Sequence, residues 1–178
     1  MTQFYTEGIQ LHRVLDAFRL AISMELASAD NTLFGPLSSA LGICYSGLIA
    51  LYDRHSCAEV DDVAGIGIPE QLQMQEIALG GLKELAGFVA EFAVKLTSVI
   101  GSQGRAAASP FVADCFYAAN RLCLLYFQET GRPEILQAIE AINGGLRALS
   151  GHWSSASKLF VPPSHISVTV FAGTSGIN

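Results

Sequence analysis

The chain has 178 residues, 51 % hydrophobic and 15 % charged, with ten Lys and Arg against sixteen Asp and Glu for a formal charge of -6. This length gives one domain of ordinary size that can bury a core without staples, and the acidic balance, with basic residues scattered singly, excludes a nucleic-acid footprint. Charge this sparse leaves a thin polar surface, or apolar surface that serves a ligand or partner.

Leu11, Leu15, Phe18, Ile22 and Leu26 recur at helical spacing, which predicts a first helix packed by that single stripe, with Arg13, Asp16 and Glu25 off it. Asp30-Asn31 and Gly35-Pro36 punctuate the passage to a second helix over Leu37 to Arg54. The uncharged run Asn31 to Tyr52 approaches membrane-spanning length, but Pro36, Ser38, Ser39 and Ser46 make it a buried helix, and no membrane partner is expected. Residues 57 to 70 read as an exposed loop and a candidate lid. Pro69 and Glu70 open a third helix running to about Ile100, with Leu85, Phe88, Phe92 and Leu96 as its buried row and Glu91 and Lys95 paired on the wet side. Gly80-Gly81 is a candidate break in it.

After a small polar loop, Gly101 to Ala108, Ser109 caps a fourth helix and Pro110 takes its first position. Apolar residues surround this helix from Phe111 to Phe127, which predicts a central place. Thr130-Gly131-Arg132-Pro133-Glu134 stops it and starts a fifth helix. Asn143-Gly144-Gly145 is expected to kink or interrupt the fifth before Leu146 to Phe160 continues as a sixth. Beyond Pro162-Pro163, His165 to Phe171 alternates like a strand. The expected fold is all-α: a single-domain bundle of about six helices over residues 1–160, with an extended, strand-like tail over 161–178 that lies on the helices or pairs in a homodimer.

No dinucleotide, phosphate-loop, zinc-protease or nucleophile-elbow motif occurs. Asp61-Asp62 reads as solvated. His12, His55, His152 and His165 are scattered, and Cys44, Cys57, Cys115 and Cys123 have no CxxC spacing, so neither metal nor cofactor is expected. Glu7, Arg13, Asp16 and Arg19 exclude a secretory signal near the N-terminus, and free thiols then imply an intracellular protein, cytoplasmic or nuclear. What remains is a set of polar groups on apolar helices: Tyr45 and Tyr52 on the second, Asp114, Tyr117, Asn120, Arg121 and Tyr126 on the fourth. The plain reading is helix edges and satisfied core tyrosines. The functional reading is an apolar cavity fringed by a few hydrogen-bonding groups, with Tyr45, Tyr52, Tyr117, Asn120 and Trp153 as ligand-binding candidates.

Ser109-Pro110-Phe111 opening an apolar helix, Cys115, Tyr117 and Ala118-Ala119 within it, the Glu129-Thr130-Gly131 break, and Leu146 through Trp153 closing the next helix resemble the C-terminal end of the fungal-specific transcription-factor domain. Upstream, Leu41 to Ile49 is similar to the helix that precedes a His-Arg-Pro motif in that family, although Tyr52-Asp53-Arg54-His55 here lacks the proline. The zinc binuclear cluster of such regulators needs six closely spaced thiolates, and this chain has four scattered cysteines. The resemblance implies a regulatory helical scaffold without a DNA-reading head. Three classes compete: an effector-binding regulatory module acting through a DNA-binding partner, a cofactor-independent enzyme, and a dimerising fragment. The expectation is a stand-alone protein of fungal secondary metabolism that binds a hydrophobic small molecule. Its enzymatic version is a cyclase or isomerase of the pericyclic, Diels-Alder type, since orientation alone lowers such barriers by on the order of 7 to 11 kcal/mol.

Overall fold

The computed structural model describes residues 2–56, 69–103 and 109–150, which form α1 (Thr2–Ser28), α2 (Asn31–Ser56), α3 (Pro69–Gln103), α4 (Pro110–Thr130) and α5 (Glu134–Ser150). The fold is all-helical, with no strand among the described residues. The lid candidate up to Ile68, most of the expected sixth helix, Trp153 and the strand-like tail lie outside them.

The ends of α4 follow their local chemistry. Ser109 is extended (φ -70°, ψ 149°) and its Oγ accepts from the Phe111 N–H, while Pro110 holds a position where no N–H is needed. Gly131 takes the left-handed conformation (φ 64°) and donates its N–H to the Phe127 carbonyl at 2.8 Å. Pro133 then leads into α5.

α2 begins six residues before its expected start. Asp30 Oδ1 accepts from the Thr32 hydroxyl and from the Thr32 and Leu33 N–H groups, and these bonds, the hydroxyl first, hold its carboxyl below the usual range. Pro36 falls inside the helix, where it removes one bond near the start without ending it. α2 is the one described helix long and apolar enough to cross a membrane, but α1, α3 and α4 all pack on it. α3, which packs on all four other helices, takes the central place expected of α4, whose Phe111 and Leu125 stay about half exposed.

Neither glycine pair breaks its helix. A Cβ at Gly81 would lie 2.4 Å from Tyr52 Cε2, and one at Gly145 would lie 2.6 Å from Phe116 Cε2. These glycines admit rings from neighbouring helices, and tertiary packing overrides their low helix propensity. The core they complete includes Leu48, Phe92, Leu96, Ile142 and Leu146, with Phe92 and Phe116 edge to face at 5.4 Å. The expected row on α3 holds at Leu85, Phe92 and Leu96, with Phe88 half-buried. Lys95, however, does not pair with Glu91. Its Nζ donates to the Leu26 carbonyl at 2.7 Å, placing a cation at the carbonyl-rich end of α1.

α1 is rotated from its expected setting. Leu26 is buried and Leu15 and Ile22 are half-buried, but Leu11 and Phe18 are 48 % and 59 % exposed. Gly8, Ile9, His12 and Arg19 turn inward instead.

Candidate functional site

Among the clefts between the described helices, two gather the residues of interest. The first runs between α1 and α3, with α2 as its floor. Tyr45 and Tyr52 lie seven residues apart on α2, hence on one face, and both are buried. Tyr52 Oη shares a 2.9 Å hydrogen bond with His12 Nδ1 from α1. Two turns on, Arg19 pairs with Asp16 at 2.7 Å and lies 4.4 Å over the Phe88 ring of α3. A space of about 390 Å³ opens beside His12 and Tyr52, and one of about 270 Å³ beside Tyr45 and Ser23; both touch Arg19 and Phe88.

Burial pushes both phenols up to about 12. At Tyr45 the nearby Arg19 guanidinium and the Ser23 hydroxyl oppose that rise; at Tyr52 the Asp16 and Glu84 carboxylates add to it while Arg19 opposes. Both hydroxyls therefore keep their protons at neutral pH and can donate hydrogen bonds.

The cleft's shape depends on Gly81, and this is testable. Gly81→Ala drives the Tyr52 ring off its seat, an overpacking cost of about 1–3 kcal/mol that exceeds the gain of up to about 1 kcal/mol from alanine in a helix. In a Tyr52→Leu background the same substitution is expected to lose its cost. Urea unfolding of the four proteins checks this, and a Gly81→Ala chain more stable than the parent refutes the contact.

The second cleft lies where the C-terminal end of α2, the middle of α3, the end of α4 and the start of α5 meet. Its volume is about 290 Å³, walled by Leu79, Leu82 and Ala86 from α3, Leu122, Leu125 and Tyr126 from α4, and Ile135 from α5. Cys123 also lines it, and Asp53, Ser56, Lys83 and Tyr126 supply its polar groups. Burial raises the Cys123 thiol to about 11 and the Cys115 thiol to about 12, so neither supplies a thiolate at neutral pH.

Of the residues singled out from sequence, Tyr52 and Tyr45 line the two neighbouring spaces of the first cleft, and Tyr126 lines the second. Tyr117 is 37 % exposed on the outer side of α4. Asn120 is fully buried and donates through Nδ2 to Asn143 Oδ1 at 3.2 Å, so it belongs to the α4–α5 packing and lines neither cleft. Sequence reasoning missed His12, Arg19 and Phe88. The signal for them was the polar row His12, Asp16, Arg19 and Ser23, which keeps the same helical spacing as the leucines beside it. No group of three or more His, Cys, Asp or Glu able to hold a metal occurs among the described residues.

Comparison with protein-family models, curated proteins and solved structures finds no match for this chain.

Proposed function

We propose that this chain binds an apolar small molecule, as a protein of fungal secondary metabolism, in the cleft where α2, α3, α4 and α5 meet. The observation that carries the reading is the cleft's lining: a largely apolar wall with a few polar groups, from Asp53, Ser56, Lys83 and Tyr126. A site of this kind takes its affinity from apolar contact and its orientation from a few polar atoms. Its 290 Å³ is close to the lower end of ligand pockets. At roughly 30 Å³ per water-sized group, it admits about ten non-hydrogen atoms, enough for a compact ligand or one end of a longer one. The binder reading comes before the enzymatic one because burial raises the cleft's thiol to about 11 and keeps it protonated at neutral pH, where it is a poor nucleophile.

Leu122→Trp is expected to fill the cleft and weaken binding of a lipophilic fluorescent probe at least about tenfold, the equivalent of losing about two buried methylenes. Leu125→Asp, which puts a charge on the wall, is expected to do the same while the melting transition stays cooperative. Fluorescence titration checks both, and a probe that binds the two variants as it binds the parent overturns the assignment. Conversion of a lipophilic polyene to a cyclised product would shift the reading to a cofactor-independent cyclase, with the cleft holding a near-reactive conformer.

A further inference from the structure

The space of about 270 Å³ at the Leu26 end of the first cleft is lined by more hydrogen-bond donors than acceptors. Tyr45, from its floor, is 3 % exposed, yet its hydroxyl closes no hydrogen bond with a described residue; Arg19 and Ser23 stand beside it. A phenol buried this far ordinarily has a partner. Arg19 turns Nε and Nη2 to Asp16 Oδ1, which leaves Nη1 without an acceptor among the described residues. Lys95 uses one of its three N–H groups on the Leu26 carbonyl. Three helices thus bring unmatched donors to one space: α1 with Arg19, α2 with Tyr45 and α3 with Lys95.

What this space lacks is an acceptor. Guanidinium and ammonium groups only donate, and the bonds they and a phenol make to a carboxylate are the strong, charge-assisted kind. Glu91 is the one carboxylate on the lining; it is exposed, and Lys95 turns from it to Leu26. Asp16 is already held by Arg19. Two cations and two carboxylates therefore balance locally, and the chain's charge of -6 repels anions at long range, so the site suits a single negative charge held by close hydrogen bonds. Leu41, Phe88 and Phe92 wall the rest, which calls for an apolar and flat body. At roughly 30 Å³ per water-sized group the space admits about nine non-hydrogen atoms, one aromatic ring with its carboxylate.

We propose that this space is a second binding site, for a small aromatic monocarboxylate whose oxygens accept from the Tyr45 hydroxyl, Lys95 Nζ and Arg19 Nη1 while its ring lies against Phe92 and Leu41. The proposal does not rest on the apolar-ligand reading, because the two spaces share no lining residue.

Benzoate titrated into the full chain, followed by amide NMR shifts, tests it. The expected result is saturable shifts at Ser23, Tyr45 and Lys95 with a Kd on the order of 0.1 mM. Benzamide, of the same size but neutral, is expected to bind at least about tenfold more weakly. Tyr45→Phe is expected to weaken benzoate about tenfold while the melting temperature stays at or above that of the parent, since the hydroxyl satisfies nothing in the free protein. A merely structural tyrosine would not separate the two readouts. Lys95→Met is expected to weaken benzoate about tenfold as well, and Lys95→Arg to keep most of the affinity. Absence of saturation up to about 5 mM, well above the expected constant, overturns the proposal. So does equal binding of benzamide, or parent-like affinity in Tyr45→Phe. Shifts confined to Leu122 and Ile135 would move benzoate to the apolar cleft and overturn this site while leaving the other standing. Should Lys95→Met unfold, Tyr45→Phe decides.

Discussion

Phe116→Ala is expected to cost about 3–5 kcal/mol, the range for removing a large aromatic ring from a core. The ring has no exposed surface, meets the edge of Phe92 at 5.4 Å, and presses its other side against the backbone of α5 at Gly145. Its cavity would be bounded by three helices held by many other contacts, so little collapse can relieve it. The glycine makes the test sharper. Gly145→Ala alone puts a methyl 2.6 Å from Phe116 Cε2 and 3.1 Å from Ala93 Cβ, so the ring must move. With Phe116 already alanine, the clash with the ring is gone and only the 3.1 Å approach to Ala93 Cβ remains, so the same change should cost less than in the parent, offset by up to about 1 kcal/mol of helix propensity. Urea unfolding of the two single variants and the double variant is expected to show coupling of at least about 1 kcal/mol. Additive costs would mean that ring and glycine do not touch.

The same glycines show where sequence reading reaches its limit. A helix-breaking glycine and a ring-admitting glycine look alike in their own window, because each lacks a Cβ and each lowers helix propensity. What separates them is a ring 29 residues away, Phe116 for Gly145 and Tyr52 for Gly81. The ends of α4 were legible because a cap is local: Ser109, Pro110 and Gly131 satisfy or omit backbone groups within their own turn. At α2 two local signals competed. Asp30 prevailed over Gly35-Pro36, since a proline near a helix start forfeits a single bond while the cap satisfies two N–H groups.

The clefts were legible only in part, for a related reason. Tyr45 and Tyr52 are two turns apart on one helix, so their shared face follows from periodicity. Their partners on α1 do not, because His12 and Arg19 count as surface residues until the helix is seen to roll its polar row inward. Tyr117 and Asn120 are only three residues apart, yet they part company: Asn120 turns into α5 and Tyr117 to the outside. The apolar cleft gathers Leu79, Leu122 and Ile135 from three helices, and nothing in the pattern of any one of them marks that meeting.

Asn143→Leu is expected to cost about 1–3 kcal/mol, although leucine keeps the heavy-atom shape of the side chain and is apolar in a buried place. The loss arises at its partner. Asn120 has no exposed surface, and its Nδ2 donates to Asn143 Oδ1 while its own Oδ1 has no partner. Leucine at 143 would leave both ends of that amide unpaired in the core, where each pays its full desolvation cost. Asn120→Leu should be milder, because it removes the orphaned oxygen and leaves only the Asn143 carboxamide to be satisfied. Replacing both should recover most of the loss, since no polar group then remains at the contact and the added volume is small. Thermal and urea unfolding of the three variants are expected to rank Asn143→Leu below Asn120→Leu, with the double variant nearest the parent. The lipophilic-probe titration adds an independent readout, because Asn120 lines neither cleft and Asn120→Leu should leave probe affinity within about twofold of the parent, under half a kcal/mol. A double variant as unstable as Asn143→Leu would mean that the amides are held by something other than each other, and a large loss of probe binding in Asn120→Leu would return that residue to the ligand site.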